Sequence, residues 1–214
     1  MTLAVTTYSR TTPPLAGPRS LVIADHDITV TDRVQEQLHN LGYSAVNAGT
    51  SGRGLFEAVR TQRPDLVIAD IDLEMTDGQC AARIIHRQFN VPVVAMAGAT
   101  DPDQLEAALD ADVHALLVKP ISPAQLQASI AVAWNLHQKM QEHVREVEQL
   151  KQRLEERKYI EQAKWILVQR QGITEPEAMR TLQTQARSSR RKLVDVACSI
   201  LETDELFKAA GSLR

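Results

Sequence analysis

The chain has 214 residues, enough for one domain of ordinary size and a smaller second one. Its 43% hydrophobic and 24% charged residues are those of a water-soluble folded protein, and no apolar run reaches the roughly 18 residues a membrane helix needs. The net charge of −3 hides an asymmetry, because residues 151–192 hold 11 Lys and Arg against 5 Asp and Glu, leaving 13 against 22 elsewhere.

With only 4% aromatic residues, the core has to be built from Leu, Ile, Val and Ala. Residues 1–19, with Thr11, Thr12, Pro13, Pro14 and Pro18, lack the basic start and apolar stretch of a secretion signal, and read as a disordered leader on a cytoplasmic protein. Short apolar runs then alternate with helical patterns. Leu21–Ala24, Ala45–Ala48, Leu66–Ala69, Val93–Met96 and Ala115–Val118 read as strands; Val30, Val34, Leu38 and Leu41 mark a helix stopped at Gly42, and another spans Gly54–Arg60. Strands alternating with helices imply an α/β domain, a doubly wound five-stranded parallel sheet, over residues 20–133.

Beyond Pro123 the pattern is wholly helical. Ala133, Leu136, Met140, Val147, Leu150 and Leu154 recur at spacings of three, four and seven, with His143 interrupting the seam. This predicts a coiled-coil neck over residues 134–156 and favours a parallel homodimer, although one amphipathic helix packed on its own domain gives the same pattern. The long helix is expected to run to Gln171 and stop at Gly172. Thr174 and Glu177 form a capping box that opens a second helix to about Arg187; Ser188 or Ser189 can cap a third containing Leu193, Val196, Ala197, Ile200 and Leu201. A small all-α, three-helix domain over residues 157–203 follows, with residues 204–214 as a loose tail. Cys80 and Cys198 match no metal or redox spacing and read as buried free thiols.

The strand ends bring Asp25, Asp27, Asp70 and Lys119 to one edge of the sheet, where open α/β sheets place their sites. The segment from Pro64 to Gly78, with Asp70 and the Asp77-Gly78 turn, together with Lys119-Pro120, resembles the response-regulator receiver family, whose fold is CheY-like. The resemblance implies Asp70 as phosphoacceptor, Lys119 as the residue sensing the phosphoryl group, and Mg²⁺ held by Asp25, Asp70 and the carbonyl of Asp72. His26 stands where the family usually has a second acid, and imidazole is a poor ligand for Mg²⁺. Ala97, Leu116 and Glu74 replace the family's hydroxyl residue, switching aromatic and proline. Control is therefore expected to run through protein binding more than through phosphorylation.

Residues 145–202 resemble the ANTAR family of RNA-binding antitermination modules. The match rests on Leu154, Arg157, Ile160, Ala163-Lys164, Leu167, Gly172-Ile173, Glu177-Ala178, Ala186, Lys192-Leu193 and Val196-Ala197. It implies a transcription antiterminator that binds paired stem-loops in leader RNA, answers to a ligand-sensing partner protein or a sensor histidine kinase, and carries out no catalysis. Arg157, Lys158, Lys164, Arg187, Arg190, Arg191 and Lys192 are the expected RNA contacts, since phosphate charge dominates such binding. Trp165 stands where the family usually has Gly. It reads as an extra core residue in preference to a stacking platform, because Trp is mostly buried. The rival readings are a DNA-binding response regulator and a dimeric protein-interaction adaptor.

Overall fold

The computed structural model describes residues 17–75, 79–98 and 113–211, with side chains to residue 206. Most of the expected leader, the Asp77-Gly78 turn and residues 212–214 lie outside the described residues. The chain divides into two compact units, residues 1–141 and 142–214.

In the first unit β1 (Ser20–Ala24), α1 (Ile28–Asn40), β2 (Ser44–Asn47), α2 (Gly52–Gln62), β3 (Leu66–Asp70), α3 (Ala81–Phe89), β4 (Val93–Ala97) and β5 (Ala115–Val118) precede the start of a long helix, α4 (Pro123–Gln171). The five strands pair in parallel in the order β2-β1-β3-β4-β5. Register fixes the site's geometry: Ala24 lies beside Ala69 and Asp70 beside Met96, so Asp25 and Asp70 leave the sheet at one edge.

Successive strand residues enter opposite cores. Leu21, Ile23, Leu66, Ile68, Val94 and Met96 pack with Val34 and Leu38 of α1 and with Leu126, Ile130 and Ala133 of α4. Val22, Ala24, Val67, Ala69 and Val93 pack with Leu55 and Val59 of α2 and with Ala81, Ala82 and Ile85 of α3. Burial on both faces is why these strands read as unbroken apolar runs with no alternation. Gly52, at the start of α2, is required by a close approach, because a Cβ there would lie 2.3 Å from the Glu74 carbonyl oxygen.

In the second unit the end of α4 packs with α5 (Glu175–Ser189) and α6 (Leu193–Gly211). Ala163, Leu167, Ala178, Leu182, Ala186, Val196 and Ala197 form the core. Gly172 ends α4 at φ +66, where a side chain would be strained, and the Thr174–Glu177 capping box opens α5. Two details differ from expectation. Ser188 and Ser189 lie inside α5, each donating to the Gln185 carbonyl, so neither caps the next helix. The tail expected from residue 204 is helical to Gly211, and Asp204 is buried in an ion pair with Arg170 of α4. That pairing spans 34 residues, and no local pattern announces it.

Candidate functional site: an acidic pocket and a basic helical end

Asp25 follows β1, Asp70 ends β3 and Lys119 follows β5 through a cis Lys119–Pro120 bond. Both carboxylates are buried, at 0% and 1% exposure. Lys119 Nζ lies 2.5 Å from Asp25 Oδ2 and 2.6 Å from Asp70 Oδ2. The first contact is an ion pair without hydrogen-bond geometry; the second is a directed hydrogen bond. Backbone amides take the other oxygens: Asp27 N–H donates to Asp25 Oδ1 and Asp72 N–H to Asp70 Oδ1. His26 enters from the solvent side, with Nδ1 2.5 Å from Asp70 Oδ2 and 3.4 Å from Asp25 Oδ1.

Hydrogen bonds and neighbouring charges, set against burial, shift the two acids in opposite directions. Burial raises the Asp25 carboxyl above the ordinary range, outweighing the Lys119 ammonium and the Asp27 amide, with the negative charge of Asp70 adding to the rise. Burial acts on Asp70 as well, but the Lys119 hydrogen bond, the Asp72 amide and the charges of Lys119 and His26 together outweigh it and hold that group low.

Asp27, expected in the pocket, does not join it. Its carboxylate caps α1 and accepts from both the backbone N–H and the hydroxyl of Thr29. An acid just ahead of a helix finds unpaired amides there, and that local bond wins over a more distant pocket. His26 takes the place instead, and Asp25, His26 and Asp70 bring one ligand atom each within 4.8 Å of one another. This donor set does not fit Mg²⁺ well, since one of the three side-chain donors is nitrogen and Mg²⁺ demands oxygen. Ala97 and Leu116 sit close by in an apolar cluster with Ile71 and Ala95, so no hydroxyl stands at the end of β4.

The basic residues of the second unit fall into two groups. Arg157, Lys158, Arg187, Arg190 and Lys192 are exposed. Lys164 is not, with 14% of its side chain accessible; its Nζ bonds Glu161 at 2.7 Å and approaches Glu175 at 3.7 Å, and these carboxylates, Glu161 first, raise its pKa. Arg191 donates to the Asp195 carbonyl and the Ser199 hydroxyl of α6. Trp165, expected in the core, is 58% exposed and lines an open groove with Glu161, Gln162, Ile166, Leu201 and Asp204. Within the second unit the buried positions of α4 are Ala163 and Leu167, and a residue midway between them in sequence points to the opposite side of the helix. Cys80 and Cys198 are free and half-buried, less enclosed than expected.

The response regulator receiver domain family matches residues 21–131, and the ANTAR domain family matches residues 148–201. Transcriptional regulatory protein PdtaR of Mycobacterium tuberculosis strain H37Rv is 34% identical over 188 residues, spanning 88% of this chain and 92% of its own. The KDP operon transcriptional regulatory protein KdpE of Escherichia coli K12 is 31% identical over 118 residues, 55% of this chain and 52% of its own. Among solved structures, the signal receiver domain of a modulated diguanylate cyclase from Desulfovibrio desulfuricans G20 superposes with a TM-score of 0.51 at 20% identity, covering 57% of this chain and 98% of its own. A CheY-like receiver domain protein from Methanospirillum hungatei JF-1 gives 0.50 at 19% identity, over 57% and 98%; at such identities these two speak for the fold alone. No helix among the described residues is long and apolar enough to cross a membrane. With a receiver sheet in front, an ANTAR domain behind, and a relative aligned along most of both chains, this protein belongs to the ANTAR-containing response regulators, a family of transcriptional regulatory proteins.

Proposed function

We propose that the chain is a cytoplasmic transcription antitermination regulator. As a homodimer it binds paired stem-loops in leader RNA through its C-terminal helices and keeps a terminator hairpin from forming. The observation that carries this reading is the set of exposed cations on the ANTAR helices: Arg157, Lys158, Arg187, Arg190 and Lys192 are solvated and free to meet phosphates. Lys164 and Arg191 serve beside them as supports, one tying α4 to Glu175 of α5 and the other bracing the start of α6. Favouring one RNA fold over another requires only a few kcal/mol of differential binding.

In this reading the receiver spans residues 20–133 and the neck residues 134–156. The RNA-binding part begins near residue 157 and extends to the end of α6. The dimer is supported by the neck itself: Leu136, Met140, Val147, Leu150 and Leu154 are 43–68% exposed on one helix, at the spacing a partner helix would cover. Control is exerted through the receiver, chiefly by a bound partner protein. His26 and Lys119 both engage the Asp70 oxygen that a phosphoryl group would have to take, and the hydroxyl that would help hold it is replaced by Ala97. Asp70→Asn should accordingly leave antitermination in cells largely intact.

The direct test is to cross-link the full chain to RNA in cells, sequence what is recovered, and titrate the purified chain with that RNA across a salt series. Leader RNAs with two stem-loops, bound more tightly than single stem-loops or duplex DNA and with steep salt dependence, are the expected result. Recovery of no RNA above background, or equal binding to duplex DNA, would overturn the reading in favour of an adaptor or a DNA-binding regulator.

A further inference from the structure

We propose that the pocket of Asp25, His26 and Asp70 is a selective site for a first-row transition cation of the Zn²⁺ class. The inference is independent of the RNA reading, since it concerns only the receiver edge.

Three observations converge. The two carboxylates are buried, at 0% and 1% exposure, and are brought together from adjacent parallel strands. The imidazole beside them faces both: its Nδ1 is 3.4 Å from Asp25 Oδ1 and 2.5 Å from Asp70 Oδ2. Two ligands bonded at about 2.1 Å to one tetrahedral ion stand roughly 3.4 Å apart. The His26–Asp25 spacing already meets that value, and the His26–Asp70 contact has to open by under an ångström or so. The third observation is that the His26 side chain is 62% exposed, which leaves the outer side of such an ion to water and lets the ring adjust without disturbing the core.

The donor chemistry then decides which ion. Carboxylate, carbonyl and water sets suit Mg²⁺, whereas imidazole suits Zn²⁺, Ni²⁺, Cu²⁺ and Fe²⁺. A third acid would add negative charge that a hard, strongly hydrated cation needs; His26 supplies instead a neutral nitrogen, the better donor for a borderline ion. Lys119, ion-paired with one oxygen of each acid, offsets part of the negative charge and further weakens attraction of the purely electrostatic kind.

The experiment uses Co²⁺ as a coloured probe on the full chain. Co²⁺ should give visible d–d absorption saturating at one ion per chain, displaced by an equivalent of Zn²⁺ and unaffected by about a hundredfold excess of Mg²⁺. His26→Ala should abolish the absorption. His26→Asp should restore the oxygen set, losing Co²⁺ preference and gaining Mg²⁺ affinity by tenfold or more, read by calorimetry. Because the ring is largely exposed, both variants should keep the far-ultraviolet dichroism of the parent. Absorption that persists in His26→Ala, displacement by Mg²⁺ at concentrations comparable to Zn²⁺, or no Co²⁺ binding to the parent would each overturn the proposal.

Discussion

The receiver pocket and the basic helical end use charge in opposite ways. In the pocket every charged group is answered by another within the protein: two buried carboxylates share one lysine, a histidine and two backbone amides. In the C-terminal unit most of the described cations project into water, while Lys164, Arg170 and Arg191 are tied to nearby acceptors. Buried charge has to be paired, so it shapes the fold and resists change. Solvated charge adds little to folding and is available to a partner. The first region should therefore respond to mutation in stability, and the second in binding.

The strongest test of that contrast is Lys119→Met. Removing the shared ammonium leaves two buried acids without their cation, and urea unfolding should show a loss of about 3–5 kcal/mol. A loss below about 1 kcal/mol would place the pocket with the solvated charges.

Next is His114, which extends the logic of burial to an imidazole whose Nδ1 accepts from the Val93 backbone N–H. It stacks edge-on with His86 and His137 and is only 7% exposed; burial first, then the two neighbouring rings, pull its pKa from 6.5 to about 4. A depressed imidazole favours folding while neutral, so its contribution is complete above pH 6.5 and is lost as pH falls toward 4. Relative to His114→Leu, the parent should lose about 3 kcal/mol more between pH 7 and pH 4. Parallel pH profiles for the two proteins would contradict this.

On the other side of the comparison, Arg157→Glu combined with Arg187→Glu should weaken RNA binding about a hundredfold and lower the slope of log affinity against log salt by about 1.5. Unfolding free energy should stay within about 0.5 kcal/mol of the parent. The smallest effect is expected at Trp165. Its replacement by Ala should cost under about 1 kcal/mol, where a core tryptophan would cost 3–5.

The sheet was legible because each central strand is buried on both faces and so appears as a short, unbroken apolar run between helical patterns. Asp25, Asp70 and Lys119 were legible as a group for the same reason, since strand ends in a parallel sheet share an edge. What escaped were competitions settled by local hydrogen bonding or by distant pairing. Asp27 had a sequence signal that could have reassigned it: an acid directly before Ile28 and Thr29 is an N-cap pattern. The ion pair of Lys164 also had a local signal, in Glu161 three residues earlier on the same helix. Trp165 was misplaced by a general preference for burial, although the spacing of Ala163 and Leu167 already turns position 165 away from the core. The contact of His26 with Asp70 spans 44 residues, and that of Arg170 with Asp204 spans 34; both depend on tertiary structure that no local window contains.

The most direct test of the central claim is transcription in vitro through a terminator preceded by a leader RNA recovered with this protein. Read-through should rise with added full-length chain, saturate at two chains per leader, and stay at the basal level with the Arg157→Glu, Arg187→Glu variant. Read-through that is unchanged by the parent protein while the RNA is demonstrably bound would contradict the antitermination account.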